Sequence, residues 1–196
     1  MSEVALAMPL AGGEGQYAGP VDEQAWVERA RAGDIDAFDF IMCRYEQRLQ
    51  RFLVGLVGDI DIAQELCQET FFSAYRALPR VRGDLKVSAW LHTIALNQAR
   101  SHHRRRKVRP QVPLGDFDRP QGGPELQDAV ALSDLVQRVL ARLPRQYSEP
   151  LLMQVSSGLS CREIGQILGT SEGAIKVRLL RAREAFRKAY DMEGGA

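Results

Sequence analysis

Between Val108 and Pro124 the chain carries Pro110, Pro113, Pro120 and Pro124 together with Gly115, Gly122 and Gly123. Each proline removes a backbone donor and each glycine widens the accessible backbone space, which leaves no room for a helix of useful length. The stretch reads as a linker, and it divides the sequence into two blocks that must each find a core. At 196 residues there is enough chain for two small ones.

Both blocks carry helical periodicity. Asp22 can cap a first helix reaching Ala32, and Gly33-Asp34 breaks it. Phe38, Ile41, Met42, Tyr45, Leu49, Phe52, Leu53 and Leu56 then recur at steps of three and four, the stripe of a long amphipathic helix. Gly58-Asp59 ends it and opens a third helix with Ala63, Leu66, Cys67, Phe71, Ala74, Tyr75 and Leu78 inside, stopped by Pro79. After the loop Val81 to Lys86, a fourth helix runs from about Val87 to Lys107 and buries Leu91, Ile94, Ala95 and Ala99. Past the linker, Leu132, Leu135, Val136, Val139, Leu140 and Leu143 mark another helix, ended by Pro144. A short helix around Tyr147 to Val155 follows, and Pro150 inside it predicts a kink or a delayed start. Ser160 and Glu163 have capping-box spacing and open a helix with Ile164, Ile167 and Leu168. Gly169 turns the chain, Ser171 can cap again, and the last helix reaches about Tyr190. No strand pattern competes, so the expected fold is all-α: two small helical domains joined by a flexible linker, the C-terminal one with a helix-turn-helix. The expected divisions are a disordered leader at 1–21, a first domain at 22–109, the linker at 110–128 and a second domain at 129–191.

The net charge is only +1, but its distribution is uneven. Asp59, Asp61, Glu65 and Glu69 lie in a stretch without Lys or Arg, whereas Arg100, Arg104, Arg105, Arg106, Lys107 and Arg109 lie in one without acid. One face is thus acidic and at least one basic. On the third helix, Asp61, Gln64, Glu65, Gln68 and Glu69 surround Phe72, polar residues around one aromatic, which suits a basic protein partner and would repel DNA. On the fourth, Thr93, Asn97, Arg100 and Arg104 share a face by spacing. With Trp90 and the basic run that ends the helix, Arg105 within it, they offer stacking, base-edge hydrogen bonding and phosphate contacts. In the last helix Ile175, Leu179, Ala182 and Phe186 form the packing face, opposite Lys176, Val177, Leu180 and Arg181. Basic groups there reach phosphates or guanine edges, and aliphatics touch thymine methyls; Ser171 and Arg178 flank them.

Other functions find little support. Cys43, Cys67 and Cys161 are widely spaced, form no C-x-x-C pair and read as ordinary buried thiols, an inventory that fits a reducing compartment. His102 and His103 are adjacent on a helix and point about 100° apart, a poor start for a metal site. There is no phosphate loop and no Ser-His-Asp set, so neither catalysis nor a cofactor is expected. No apolar run approaches the roughly 20 residues of a membrane span, and Met1 to Ala11 lacks a basic n-region and is interrupted by Glu3 and Pro9. A cytoplasmic protein is expected.

Three stretches carry a family resemblance. Asp59-Ile-Asp-Ile-Ala-Gln-Glu-Leu-Cys-Gln-Glu-Thr-Phe71 resembles region 2.2 of bacterial sigma factors. Ala89-Trp-Leu-His-Thr-Ile-Ala-Leu-Asn97 and the basic run after it resemble regions 2.3 and 2.4. Gly158 to Gly165, Ser171 to Arg178 and Arg181 to Glu184 are similar to region 4.2. Two domains with a short linker and no region 3 point to the extracytoplasmic-function (ECF) subfamily. The resemblance implies a sigma factor that binds core RNA polymerase, through its β′ clamp helices and β flap, and brings it to promoter DNA. It places Asp61, Gln64, Glu65, Gln68, Glu69 and Phe72 on the polymerase and the Val81–Lys86 loop on the −10 element, together with Lys86, Trp90, Thr93, Asn97, Arg100, Arg104 and Arg105. Ser171, Lys176, Val177, Arg178, Leu180 and Arg181 fall on the −35 element. An anti-sigma factor is a common further partner in the subfamily. Ser101 stands where the family often has Asp, which leaves that helix more basic, and Pro150 interrupts a helix usually free of it. A stand-alone helix-turn-helix regulator is the competing reading; it would leave the acidic helix and the whole first domain without a task.

Overall fold

The computed structural model describes residues 22–108 and 135–194, and among them every regular element is a helix. In chain order these are α1 (Glu23–Arg31), α2 (Ile35–Val57), α3 (Ile60–Ala77), a 3-10 turn (Leu78–Arg80) and α4 (Val87–Val108). After the undescribed stretch come α5 (residues 135–142), α6 (Arg145–Ser157), α7 (Cys161–Leu168) and α8 (Glu172–Gly194). The leader at 1–21, the linker at 110–128, Leu132 and Arg109, which closes the basic run of the fourth helix, lie outside the described residues.

Helix starts follow the side chains that cap them. The Asp22 carboxylate accepts from the backbone N–H of Gln24, Asp34 from Ala37 and Asp59 from Ile62. Ser160 and Glu163 form the reciprocal capping box at the head of α7. Each such cap contributes about 1 kcal/mol by occupying donors that the helix itself cannot. In the N-terminal domain, α2 runs through the middle, against α1, α3 and α4, and buries Phe38, Ile41, Tyr45, Leu49, Phe52 and Leu53. The α3 stripe is as patterned except at two places. Tyr75 is 42% exposed and meets Phe38 edge-on at 5.1 Å, while Thr70, fully buried, closes its hydroxyl onto the Leu66 carbonyl at 2.7 Å. A hydroxyl returned to its own helix can occupy a core position that an apolar-only pattern passes over.

In the C-terminal domain α8 packs on α6 and α7. The turn between α7 and α8 is tight: a Cβ at Gly165 would sit 2.8 Å from the Thr170 carbonyl oxygen, and Gly169 closes the helix in the left-handed region (φ 64°). Pro150 neither breaks α6 nor delays it. The helix starts at Arg145, two residues before the sequence reading, and continues through the proline to Ser157.

The two domains are packed together. α2 lies against α6, α4 against α7, and the buried residues of both halves join in one cluster. At Gly55 in α2 the approach is close: a Cβ there would fall 2.3 Å from a methyl of Leu152 in α6.

Candidate nucleic-acid and protein interfaces

Three surfaces were expected from sequence, and the structure places them on α3, α4 and α8. On α3 the side chains of Asp61, Gln64, Glu65, Gln68, Glu69 and Phe72 are all exposed. The Phe72 ring, 63% exposed, carries the Arg76 guanidinium 5.5 Å from its centre. An aromatic at that exposure gains nothing from the core of its own domain, so its apolar area is left for something outside.

On α8, Ser171 accepts from the Ala174 N–H and caps the helix, as expected. Ile175, Leu179 and Ala182 are buried, and Phe186 half-buried. The other side presents Lys176, Val177 (49% exposed), Leu180 (58%) and Arg181 to solvent, with Arg178 half-buried beside them. Lys176 bonds Glu172 one turn earlier at 2.7 Å, which holds the Glu172 carboxyl below its ordinary value and raises the lysine. Both are at the surface, so the pair is weak and easily exchanged.

The third surface is divided. Lys86, Asn97, Arg104 and Arg105 are exposed, Trp90 and Thr93 half-buried. Trp90 packs its ring against the core, and Thr93 returns its hydroxyl to the Ala89 carbonyl at 2.8 Å. Arg104 donates to Ser101 Oγ at 3.0 Å. Arg100 is half-buried, its side chain 43% exposed. Its Nε donates to Oε1 of Glu149 at 3.1 Å and its Nη2 to Oε2 at 2.6 Å, a two-pronged pair with α6 of the other domain. The Glu149 side chain is only 7% exposed.

The same α4 face carries residues that the sequence reading missed. His92 has no exposed surface and lies against Phe52, ring centres 5.1 Å apart. Its Nδ1 is 2.6 Å from the Ser88 carbonyl, which only accepts, so Nδ1 carries the proton. Nε2 is then free to accept from the Ser157 hydroxyl of α6 at 2.6 Å. Burial holds the imidazole below its ordinary value, in keeping with that neutral form. His103 reaches the Leu56 carbonyl at 3.1 Å and ties the far end of α4 to α2. The signal for His92 was available: it falls one helical turn before Leu96 and two before Ala99, on the buried side. Glu149 was marked as well, as the one acid between Ser148 and Met153, all of them buried.

The cysteines depart from expectation in one case. Cys67 is buried, with its thiol pushed up to about 12 by burial, and Cys161 is half-buried, but Cys43 is exposed. Among the described residues no group of three or more His, Cys, Asp and Glu is placed to hold a metal, and no helix is long and apolar enough to cross a membrane.

A helix-turn-helix joined to a helical domain that bears one acidic and one basic helix defines a class of transcription proteins, and the comparisons specify it. Residues 41–109 match the Sigma-70 region 2 model and residues 133–186 the Sigma-70, region 4 model. The chain is 32% identical over 179 residues to the RNA polymerase sigma-H factor of Pseudomonas aeruginosa, covering 85% of this chain and 93% of the relative. It is 32% identical over 178 residues to the ECF RNA polymerase sigma-E factor of Escherichia coli, covering 84% and 92%. Among solved structures the fold is similar to CnrH in its complex with the cytosolic domain of CnrY (TM-score 0.69, 23% identity, 87% of this chain and 97% of the other). It is also similar to the sigma factor RpoE of Bartonella quintana, solved with the anti-sigma factor NepR (TM-score 0.59, 23% identity, 79% and 94%). The chain belongs to the sigma-70 family, in its extracytoplasmic-function group, and serves in promoter-directed transcription initiation.

Proposed function

We propose that this sigma factor divides its contacts among the three helices. The exposed α3 face of Asp61, Gln64, Glu65, Gln68, Glu69 and Phe72 docks on the β′ clamp helices of core polymerase, with the β flap meeting the C-terminal domain. The α4 set of Lys86, Trp90, Thr93, Asn97, Arg100, Arg104 and Arg105 reads the −10 element and captures an unstacked base of the non-template strand, so that binding energy stabilises strand opening. Ser171, Lys176, Val177, Arg178, Leu180 and Arg181 lie over the −35 element in the major groove. The boundaries that go with this division are 22–109 for the first domain and 129–191 for the second. The observation that carries the reading is the apolar pair Val177 and Leu180, exposed between Lys176 and Arg181 on the side of α8 opposite its buried Ile175, Leu179 and Ala182. Water is a poor partner for that pair; thymine methyls are a good one.

The protein works in the cytoplasm without chemistry or a cofactor of its own. An anti-sigma factor is its regulator on the same footing, a reading supported by CnrH and RpoE, two similar folds solved with CnrY and NepR bound. Run-off transcription with core polymerase and this chain on genomic fragments tests the whole reading. Discrete transcripts that require the chain are expected; core polymerase that gains no promoter preference would overturn it.

A further inference from the structure

Arg31, the last residue of α1, lies 52 positions before Gly83 in the loop that joins the 3-10 turn to α4, yet the two are bonded. Its Nη2 donates to the Gly83 carbonyl at 2.7 Å, and its Nη1 to Oε1 of Glu28, one turn back in α1, at 2.6 Å. Gln24 donates to the same Glu28 oxygen at 3.2 Å, so the guanidinium is braced from behind by its own helix. The Arg31 side chain is only 13% exposed, against 59% for Glu28. Its Nε is buried and has no hydrogen bond among the described residues. An arginine free to turn would recover that bond from water, so the two ends of the fork hold the group in place.

The loop has little else to fix its middle. Its near end is closed by the Val81 N–H on the Leu78 carbonyl at 3.1 Å, and its far end by the Trp90 N–H on the Lys86 carbonyl at 3.0 Å. Between them, among the described residues, the Gly83 carbonyl is the one backbone group held by a hydrogen bond. Leu85 packs against the core, while Arg82, Asp84 and Lys86 are exposed. A surface loop pinned at its middle keeps one shape where an unpinned one samples many. The entropy of ordering an unpinned loop is subtracted from the free energy of whatever it binds. α1 also packs on the 3-10 turn that leads into the loop, so both the entry and the middle of the loop are set from one helix.

We infer that Arg31 is a positioning residue for −10 recognition: from α1 it pins the Gly83 carbonyl and so presets the Val81–Lys86 loop in the shape that receives an unstacked base. The inference rests on the proposed assignment of this loop and α4 to the −10 element. Arg31 touches no DNA in this scheme and acts only through the loop. α1, which carries none of the residues proposed to meet polymerase or DNA, becomes the strut of that surface.

The full-length chain carries the test in two measurements. Hydrogen exchange at the backbone amides of residues 82–85 reads the tether in the free protein, and transcription by holoenzyme reads its use. The probe is a promoter recovered by run-off transcription with the parent chain, set beside copies substituted at single −10 positions. Arg31→Ala should speed exchange at those amides and lower discrimination among the −10 copies, each about tenfold, the effect of losing one hydrogen bond to a charged group. Arg31→Lys keeps a donor on a long stem and should recover part of both. Glu28→Ala, at an exposed position, loosens the same brace and should move both readouts the same way by a smaller factor. Affinity for core polymerase and discrimination at the −35 element should stay at parent values, whereas a first domain that had lost its fold would lose core affinity. Parent-like exchange in both Arg31→Ala and Glu28→Ala would overturn the inference, as would faster exchange with unchanged −10 discrimination, or no recovery by lysine. A parent holoenzyme that favours no −10 sequence removes the reading beneath the inference and the inference with it, and that result appears before any variant is compared.

Discussion

The two helices proposed to meet DNA stand in opposite conditions. α8 holds Val177, Leu180 and Arg181 open to solvent, and its only local tie among these residues is the exchangeable Lys176–Glu172 pair. α4 has one side exposed, with Asn97, Arg104 and Arg105, and another turned to α6, where Ser157 engages the buried His92 and Glu149 engages one edge of the half-buried Arg100. A recognition helix on a helix-turn-helix is presented by its own small domain and is ready as soon as that domain folds. A helix at a domain boundary is presented only when its neighbour permits. Readiness is thus a property of the boundary rather than of the helix, and the acidic face of α3, remote from that boundary, falls on the ready side with α8.

The comparison is sharpest where the expected effect is largest. Charge reversal of Glu65 and Glu69 to lysine together should weaken core polymerase binding by on the order of 4 kcal/mol, through like charges placed face to face, with no change in helix content by circular dichroism. Unchanged affinity for core would remove the docking role from the open face. Next is a contrast between two glycines. Leucine at Gly165 meets backbone at 2.8 Å and should cost about 3 kcal/mol in denaturant unfolding of the C-terminal domain. The same residue at Gly55 meets only the tip of Leu152, at a face that can part, and should move the unfolding midpoint far less. Equal losses would mean that the boundary is as rigid as the turn. Arg181→Ala on the open helix should cost about 1–3 kcal/mol at a matched promoter, and less on promoters altered at the contacted base pair. A uniform loss across upstream sequences would assign Arg181 to phosphate rather than base.

Much of this was legible in the residues themselves. Asp22, Asp59 and Ser160 announced helix starts because capping is a local event, complete within three residues. The exposed sets on α3 and α8 followed from helical period alone, which fixes a face without reference to anything distant. What failed to show was non-local. Tyr75 belongs by period to the α3 stripe, but the stripe ends before it is covered. Pro150 argued for a later start to α6, yet the helix begins before it at Arg145 and continues past it to Ser157. Cys43 looked buried and is exposed. Above all, Arg100 reads as one more member of a basic face, and nothing within several residues of it reveals a carboxylate on α6. Contacts between domains leave no periodic trace, because each side is patterned for its own core.

The smallest expected effect comes from His92, and its sign follows from the geometry. Burial, the largest influence, and Arg48 hold the imidazole below its ordinary value; the Ser88 carbonyl and Glu163 oppose them without prevailing. The neutral ring donates to Ser88 and accepts from Ser157; protonation at Nε2 would turn the Ser157 hydroxyl from donor to acceptor and put a charge where the ring has no exposed surface. A separated or unfolded chain binds that proton at an ordinary histidine value, so it holds more protons than the form with its domains packed as the pH falls. The contribution of His92 to that packing is therefore complete above about pH 6.5 and declines as the pH drops from there toward the depressed value. Scattering recorded over that range should show the parent chain expanding on acidification. His92→Gln has no titrating ring, and its shape should depend less on pH over the same range. If the two respond alike, the acid sensitivity belongs to other groups, and the α4 boundary is held by Arg100, Glu149 and packing alone.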